Sequence, residues 1–397
     1  MDALVRDAQA GNSPQPALVI IGHHAGTIFG LTPSERLRRQ FAAAGVIGQI
    51  PLSDAIERGG RVILVRADAV LDQPLIAALA HGVGFAILGT DGAVERPAAA
   101  VVESAEATAA ARLLEDQALV GENPGLLIRR PSELDASFWK GLRKRETPYA
   151  LLLSQASSAD IERRVFMGTY KGATDFITKY AWPVPAYHVT RWLAPMGITP
   201  NMVTTVAAIL TVAAFWLFLE GWFLTGLVAA WAMTFLDTVD GKLARTTLRS
   251  SKWGDVFDHG IDLVHPPFWY AAWGLGLPAV GLGLLPDVLW TVLGIILVGY
   301  VLQRLMEGIA IKWLGLEIHI WRRIDTLFRQ VTARRNPNLA LLTVAALAGR
   351  PDLGLIAVAA WTGLCLLLHL VQLLHAFLEK RRSGPLASWM ETATKRS

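Results

Sequence analysis

The chain has one cysteine, Cys365, in 397 residues, so disulfides cannot hold it together and a thiolate metal site is excluded. Cys365 lies in an apolar run and reads as a small packing residue. Charge is scarce as well. Charged residues make up 18% of the chain against 53% hydrophobic, and the net charge is only +4. With no nucleic-acid-binding motif beside it, that balance gives no nucleic-acid partner. Residues 1–16 are polar and hold Asp2, Arg6 and Asp7, so no cleavable signal is expected there.

The polarity is unevenly spread. The first half has ordinary soluble composition and the second is membrane-like. Six apolar runs read as membrane-spanning helices, at roughly 198–219, 222–240, 256–278, 286–308, 337–350 and 353–377. Cations cluster on one side of them. Lys242, Arg245, Arg249 and Lys252 follow the second run; Lys312, Arg322, Arg323, Arg329, Arg334 and Arg335 follow the fourth; Lys380, Arg381 and Arg382 follow the sixth. The opposite turns hold Arg350 as their cation. Positive-inside bias then puts both ends in the cytoplasm, as expected of a multi-pass protein of the cell (inner) membrane. Ahead of the first run, residues 175–196 mix Trp182, Tyr187 and Trp192 with Lys179, His188 and Arg191, which suits a helix lying in the interface.

Between the second and third runs stand four acids where a membrane protein should hold few. The segment reads D-x2-D-G-x2-A-R-x8-G-x3-D-x3-D, fixed at Asp237, Asp240, Gly241, Ala244, Arg245, Gly254, Asp258 and Asp262. Ionisable groups beside membrane segments are costly and mark function. Asp237 and Asp240, three apart, share one side of a helix end, and Gly254, Asp258 and Asp262, four apart, share a stripe on the next helix. A set made of carboxylates alone suits a pair of hard divalent cations, Mg²⁺ or Mn²⁺, better than zinc. Arg245, expected in the connecting loop, is placed to grip a phosphate, and the glycines leave room for a ligand against backbone.

This segment resembles the signature of the CDP-alcohol phosphatidyltransferase family at every fixed position. Thr199-Pro200-Asn201-Met202-Val203-Thr204 is similar to the same family's opening of the first membrane helix, and is also ordinary helix-start chemistry. The resemblance implies transfer of a phospho-alcohol group from a CDP-alcohol to an acceptor hydroxyl, with release of CMP. It implies Asp237, Asp240, Asp258 and Asp262 as metal ligands and Asp262 as the catalytic base. Asp237, Gly241, Ala244, Arg245 and Gly254 would bind the nucleotide. It also implies a homodimer through membrane helices, which small residues such as Gly294 and Gly299 would permit. Arg334 and Arg335 could clamp an acceptor phosphate, and positive-inside bias explains them equally well. Donor and acceptor stay open: either could be a lipid.

The amino-terminal half alternates short apolar strands, 17–21, 61–65, 84–88 and 125–128, with helices such as 33–44 and 74–81. Such alternation predicts an α/β domain with buried parallel strands. The expected plan is therefore an α/β domain over 1–140, a connector with the interfacial helix over 141–197, an all-α membrane domain over 198–380 and a tail over 381–397. The strand order resembles the Rossmann-like nucleotidyltransferases that precede the membrane half in fused inositol-phosphate cytidylyltransferase/di-inositol-phosphate synthase enzymes. Pro33 to Val46 is similar to the helix after their nucleotide loop, and Asp68 ends a strand as does a metal-binding Asp in active members. The loop itself, Gly22 to Thr32, departs from that pattern, with no Arg or Lys before Arg36. A degenerate domain is expected. His23 and His24 lack an evident third ligand and read as loop. Two other readings remain: a bifunctional enzyme that also makes its CDP-alcohol, and a non-catalytic membrane scaffold. A transporter fits less well, because no internal repeat is visible.

Overall fold

The computed structural model describes residues 15–46, 48–92, 94–115, 126–134, 138–154, 158–249 and 252–392. The chain divides into two compact units. One holds Met1–Tyr170, Arg191–Gly197 and Arg245–Leu248; the other holds Lys171–Thr190, Ile198–Ala244 and Arg249–Ser397.

The first unit is built on a seven-stranded sheet. Its strands are β1 (Ala17–Ile21), β2 (Arg61–Arg66), β3 (Ala69–Leu71), β4 (Phe85–Thr90), β5 (Glu95–Glu103) and β6 (Leu127–Arg129). Beyond β7 (Phe138–Trp139) and β8 (Lys144–Arg145), which form a separate ribbon, β9 (Ala150–Leu152) completes it. The order is β1-β2-β5-β4-β9-β3, with β6 also on β4. Helices α1 (Pro33–Ala43), α2 (Leu52–Arg58), α3 (Gln73–His81) and α4 (Ala107–Glu115) pack around it, and α5 (Ser158–Gly168) follows. Leu37, Phe41, Ile63, Leu75 and Ile87 fill one core cluster, and Val62, Leu64, Ala86, Ala100 and Ala111 another.

Two expectations need correction. The sheet is mixed: β1 runs parallel to β2, but β5 is antiparallel to both β2 and β4. The sequence hides β5 because its buried centre is Pro97 followed by three alanines, poor strand formers. Burial overrides propensity, for Ala98, Ala99 and Ala100 are fully inaccessible. The sheet also reaches past residue 140, since β9 pairs with β3 and β4. The expected connector therefore contributes a strand to the α/β unit.

In the second unit a π-helical turn, Ile177–Ala181, leads into α6 (Pro183–Leu193). There follow α7 (Pro200–Leu219), α8 (Phe223–Thr247), α9 (Lys252–Gly276) and α10 (Pro286–Ile309). After these come α11 (Arg323–Phe328), α12 (Arg335–Leu347) and α13 (Pro351–Ser383). Each expected span is a helix. Among the described residues, four helices are long and apolar enough to cross a membrane: Pro200–Leu219, Phe223–Thr247, Pro286–Leu314 and Pro351–Ser383. The third, α9, carries Asp255, Asp258 and Asp262 in its first half. The fifth, α12, has 13 residues, about 20 Å of helix against a hydrocarbon core of about 30 Å.

An aromatic core joins α7, α8 and α9: Phe218, Phe223, Trp269 and Trp273 are buried together. Both indoles find acceptors, Trp269 Nε1 on Thr211 O at 2.9 Å and Trp273 Nε1 on Pro351 O at 3.0 Å, as buried tryptophans require. Gly276 lets the ends of α7 and α9 touch, because a Cβ there would stand 1.9 Å from Phe218 O. Gly276→Ala is expected to cost about 1–3 kcal/mol of stability, the range for overpacking, read as a lower thermal midpoint of the detergent-solubilised protein. An unchanged midpoint would show that the helices part freely. Gly299, expected to face a second copy, is instead taken up within this chain: its Cβ position lies 2.7 Å from Thr362 Cγ2 on α13.

Candidate active site

The signature lies on two successive helices. Asp237, Asp240, Gly241, Ala244 and Arg245 all sit on α8, and Gly254, Asp258 and Asp262 on α9. Arg245 is therefore not in the connecting loop. The helix continues to Thr247 and stops at Leu248, which adopts φ +53°. The side chain of Asp258 lies outside the described residues.

Arg335, the first residue of α12, holds two of these acids. Its Nη2 donates to Asp237 Oδ2 at 2.6 Å, and its Nη1 donates to Asp262 Oδ1. Arg335 is 15% exposed and Asp237 17%, against 40% for Asp262. Among the described signature carboxylates, Asp237, Asp240 and Asp262, the last is thus the most open to an incoming molecule. Asp240 lies deeper. Thr204 Oγ1 donates to its Oδ2 at 2.6 Å, while its Oδ1 is buried with no hydrogen-bond partner among the described residues. A buried carboxylate oxygen left in that state needs a cation or a proton. Among the described side chains, no three carboxylate, imidazole or thiol groups converge as a metal cluster. The oxygen-only donor set and the orphaned Asp240 Oδ1 nevertheless fit hard divalent cations.

Arg334, next along the chain, turns elsewhere. Its Nη2 donates to Glu307 Oε1 on α10, which His319 Nε2 also meets at 3.1 Å, while Arg304 Nη1 reaches Glu307 Oε2 at 3.2 Å. Burial holds the His319 imidazole well down, to about 3, so at neutral pH it is uncharged, and its Nε2 lies between Glu307 Oε1 at 3.1 Å and Arg334 Nη2 at 3.3 Å. Arg329 is 8% exposed, and its Nε and Nη1 have no partner among the described residues. Burial, with Arg334 nearby, drives its guanidinium well below the arginine range. Arg304 and Arg334 thus meet at Glu307, and Arg329 lies within electrostatic reach of both Glu307 and Asp175, three cations to two acids. Nearby, Asn336 Nδ2 donates to Asp175 Oδ1 at 3.0 Å, tying the segment before α6 to the start of α12.

Sequence reasoning named Thr204 only as part of a helix start, and it did not name Arg304 or Glu307. Their signal was available, since ionised residues inside an apolar helix call for partners. A cavity of about 660 Å³, lined by residues including Phe215, Phe257, Gly260, Ile261 and Phe268, opens between α7 and α9. In the other unit, Arg66 holds Asp68 by a paired contact, Nε to Oδ1 at 2.9 Å and Nη2 to Oδ2 at 2.8 Å. His23 and His24 lie in a loop, where His24 Nδ1 accepts from Gly26 N at 3.1 Å.

Comparison with known proteins bears on the same stretch. Residues 197–333 match the family model described as CDP-alcohol phosphatidyltransferase. An archaetidylinositol phosphate synthase of Pyrococcus horikoshii is 38% identical over 79 residues, 20% of this chain and 42% of that protein. Cholinephosphotransferase 1 of Danio rerio is 32% identical over 93 residues, 22% of this chain and 24% of that protein. A phosphatidylinositol phosphate synthase of Streptomyces avermitilis is 30% identical over 112 residues, 26% of this chain and 44% of that protein. The chain therefore spans less than half the length of each of these relatives.

Proposed function

We propose that this chain, whose residues 197–333 match the CDP-alcohol phosphatidyltransferase family model, moves the phospho-alcohol group of a CDP-alcohol onto an acceptor hydroxyl and releases CMP. The observation that carries this reading is the acidic signature, with Asp237 and Asp262 meeting at Arg335 and Asp240 Oδ1 left unpartnered. The site would lie on the cytoplasmic side of the inner membrane, in a homodimer.

Asp237, Asp240, Asp258 and Asp262 would hold two Mg²⁺ or Mn²⁺ ions. When bound, the ions supply positive charge to the donor pyrophosphate and the departing CMP. Thr204 orients Asp240 through its hydroxyl. Gly241, Ala244 and Gly254 offer small surfaces for the cytidine and pyrophosphate, and Arg245 supplies the cation that grips them. Asp262, the most open acid, takes the proton of the acceptor hydroxyl as that oxygen attacks the β-phosphorus. Arg335 holds Asp237 and Asp262, two of the acids that would hold the ions, and would have to yield them when ions bind.

The acceptor is proposed to carry a phosphate. Three arginines to the two carboxylates Glu307 and Asp175 favour an anion, and two relatives are named as synthases of lipid inositol phosphates. Inositol phosphate is the leading choice, with Arg334 and Arg329 as its cations. The apolar cavity beside α9 supports a lipid-linked donor. In the α/β unit, the pairing of Asp68 with Arg66 and the missing cation in the 22–32 loop support a domain that no longer makes the CDP-alcohol.

Purified protein offered CDP-diacylglycerol or CDP-inositol, each with inositol phosphate, glycerol phosphate or serine, tests this reading. Release of CMP is expected with a phosphorylated acceptor. Release with serine alone would refute the acceptor assignment, and no release from any pair would refute the transfer reading. Thr204→Val should raise the Mg²⁺ concentration for half-maximal rate about tenfold, the lower end for loss of a group that orients a metal ligand. An unchanged Mg²⁺ dependence would remove Thr204 from the site.

A further inference from the structure

The unit that contains the α/β sheet also contains Arg245–Leu248, the last turn of α8 and the residue that ends it. Within that unit two arginines of α1 reach the end of this helix. Arg36 Nη1 donates to Thr246 O at 2.6 Å and Arg39 Nη1 to Thr247 O at 3.0 Å. The final carbonyls of a helix have no donors within the helix and carry its negative dipole end, so a guanidinium is a fitting partner.

The clamp is built with care at both ends. Thr32 caps α1 by accepting from Glu35 N, Pro33 opens the helix, and Leu37 and Phe41 anchor it in the core. Glu35 Oε1 holds Arg39 Nε at 2.9 Å. Arg36 is 4% exposed, its Nε has no partner among the described residues, and burial lowers its guanidinium below the usual range. A buried arginine kept at that cost and aimed at backbone carbonyls is not a solubility device. On the other side, Leu248 takes the left-handed conformation at φ +53°, and Arg249 N bonds back to Ala244 O at 3.0 Å. A leucine stays in that conformation only where its surroundings impose it.

We infer that Arg36 and Arg39 are positioning residues that fix the last turn of α8, and through it the direction of Arg245. The two arginines of α1 thereby act on Arg245, the signature residue that falls in their own unit. The inference rests on the transfer reading only through the role of Arg245. It also predicts a separation of effects. Asp240 lies six residues before Thr246, about 9 Å up the helix axis, so loosening the last turn should disturb donor binding and spare the metal ligands.

The test uses the full chain with Arg39→Ala, Arg36→Met and the conservative Arg39→Lys. Arg39 is 29% exposed, so its alanine variant should fold even where Arg36→Met does not. In Arg39→Ala, amide exchange over residues 245–249 should quicken and the donor KM should rise, each about tenfold, as expected for one lost charge-assisted hydrogen bond. The kcat, the acceptor KM and the Mg²⁺ dependence should hold, and Arg39→Lys should stay near wild type. Unchanged exchange in 245–249 would overturn the inference. So would a joint shift of kcat, both KM values and Mg²⁺ dependence with a falling thermal midpoint, the mark of a merely structural role. If no donor releases CMP, the transfer reading fails and the exchange result alone decides the clamp.

Discussion

Asp262→Asn is expected to lower kcat for CMP release by about 10³-fold, within the range for removing a general base. Asparagine keeps the size of aspartate and an oxygen on which Arg335 Nη1 can donate, so the helix contact survives while the proton acceptor is lost. At saturating Mg²⁺ the donor KM should change less than kcat, because the nucleotide is assigned to Asp237, Gly241, Ala244, Arg245 and Gly254 and three of the four proposed metal ligands remain. Steady-state rates across donor concentrations separate these terms. A variant with kcat within tenfold of wild type would take the base role from Asp262 and leave it to another acid of the signature. Asp262 is singled out by the structure as well as by resemblance, since at 40% exposure it is more open than Asp237 at 17%.

Arg335→Met should produce the largest loss of stability, and one that depends on metal. Arg335 bridges Asp237 and Asp262 at 15% exposure. Removing the cation leaves Asp237, with little solvent, facing the more open Asp262 without a counter-charge, a change worth about 3 kcal/mol. Methionine keeps the bulk of the stem, so the effect is one of charge rather than of a cavity. In chelator the thermal midpoint should fall clearly below wild type, and saturating Mg²⁺ should recover most of the difference, because a ligand that binds the folded state stabilises it. The same variant should bind Mg²⁺ more tightly than wild type, since its carboxylates are no longer held by a competitor. A deficit equal with and without Mg²⁺ would mean that the cations do not sit at Asp237 and Asp262.

The placing of the candidate site's residues on two successive helices was legible in the sequence because they are close along the chain. Asp237 to Arg245 lies within one helix, and Gly254 to Asp262 within the next, so residue spacing alone set which side chains share a face. The contribution of Arg335 was not legible in the same way. It reaches carboxylates 98 and 73 residues away, and from sequence it could be read only as a cation before a helix. Arg334 and Arg335 read as a pair, yet one joins the acidic signature and the other the Glu307 cluster, since successive residues at a helix start point in different directions.

The fold shows the same division. Apolar runs located the starts of the six long helices of the second unit to within four residues and missed α11, while α8 runs on to Thr247 and α13 to Ser383 because polar residues continue a helix as readily as apolar ones. Strand directions in the first unit were hidden by β5, whose alanines pack closely on neighbouring strands. Its place between β2 and β4 is decided by tertiary burial, which local composition does not report.

The most direct test is to count products. Purified wild-type protein would be given one CDP-alcohol and one acceptor, with Mg²⁺ or with chelator, and CMP and new phosphodiester would be measured in the same tube. The account predicts one phosphodiester for each CMP in Mg²⁺ and neither in chelator. CMP without phosphodiester would show hydrolysis rather than transfer, and equal turnover in chelator would contradict a site built on Asp237, Asp240, Asp258 and Asp262.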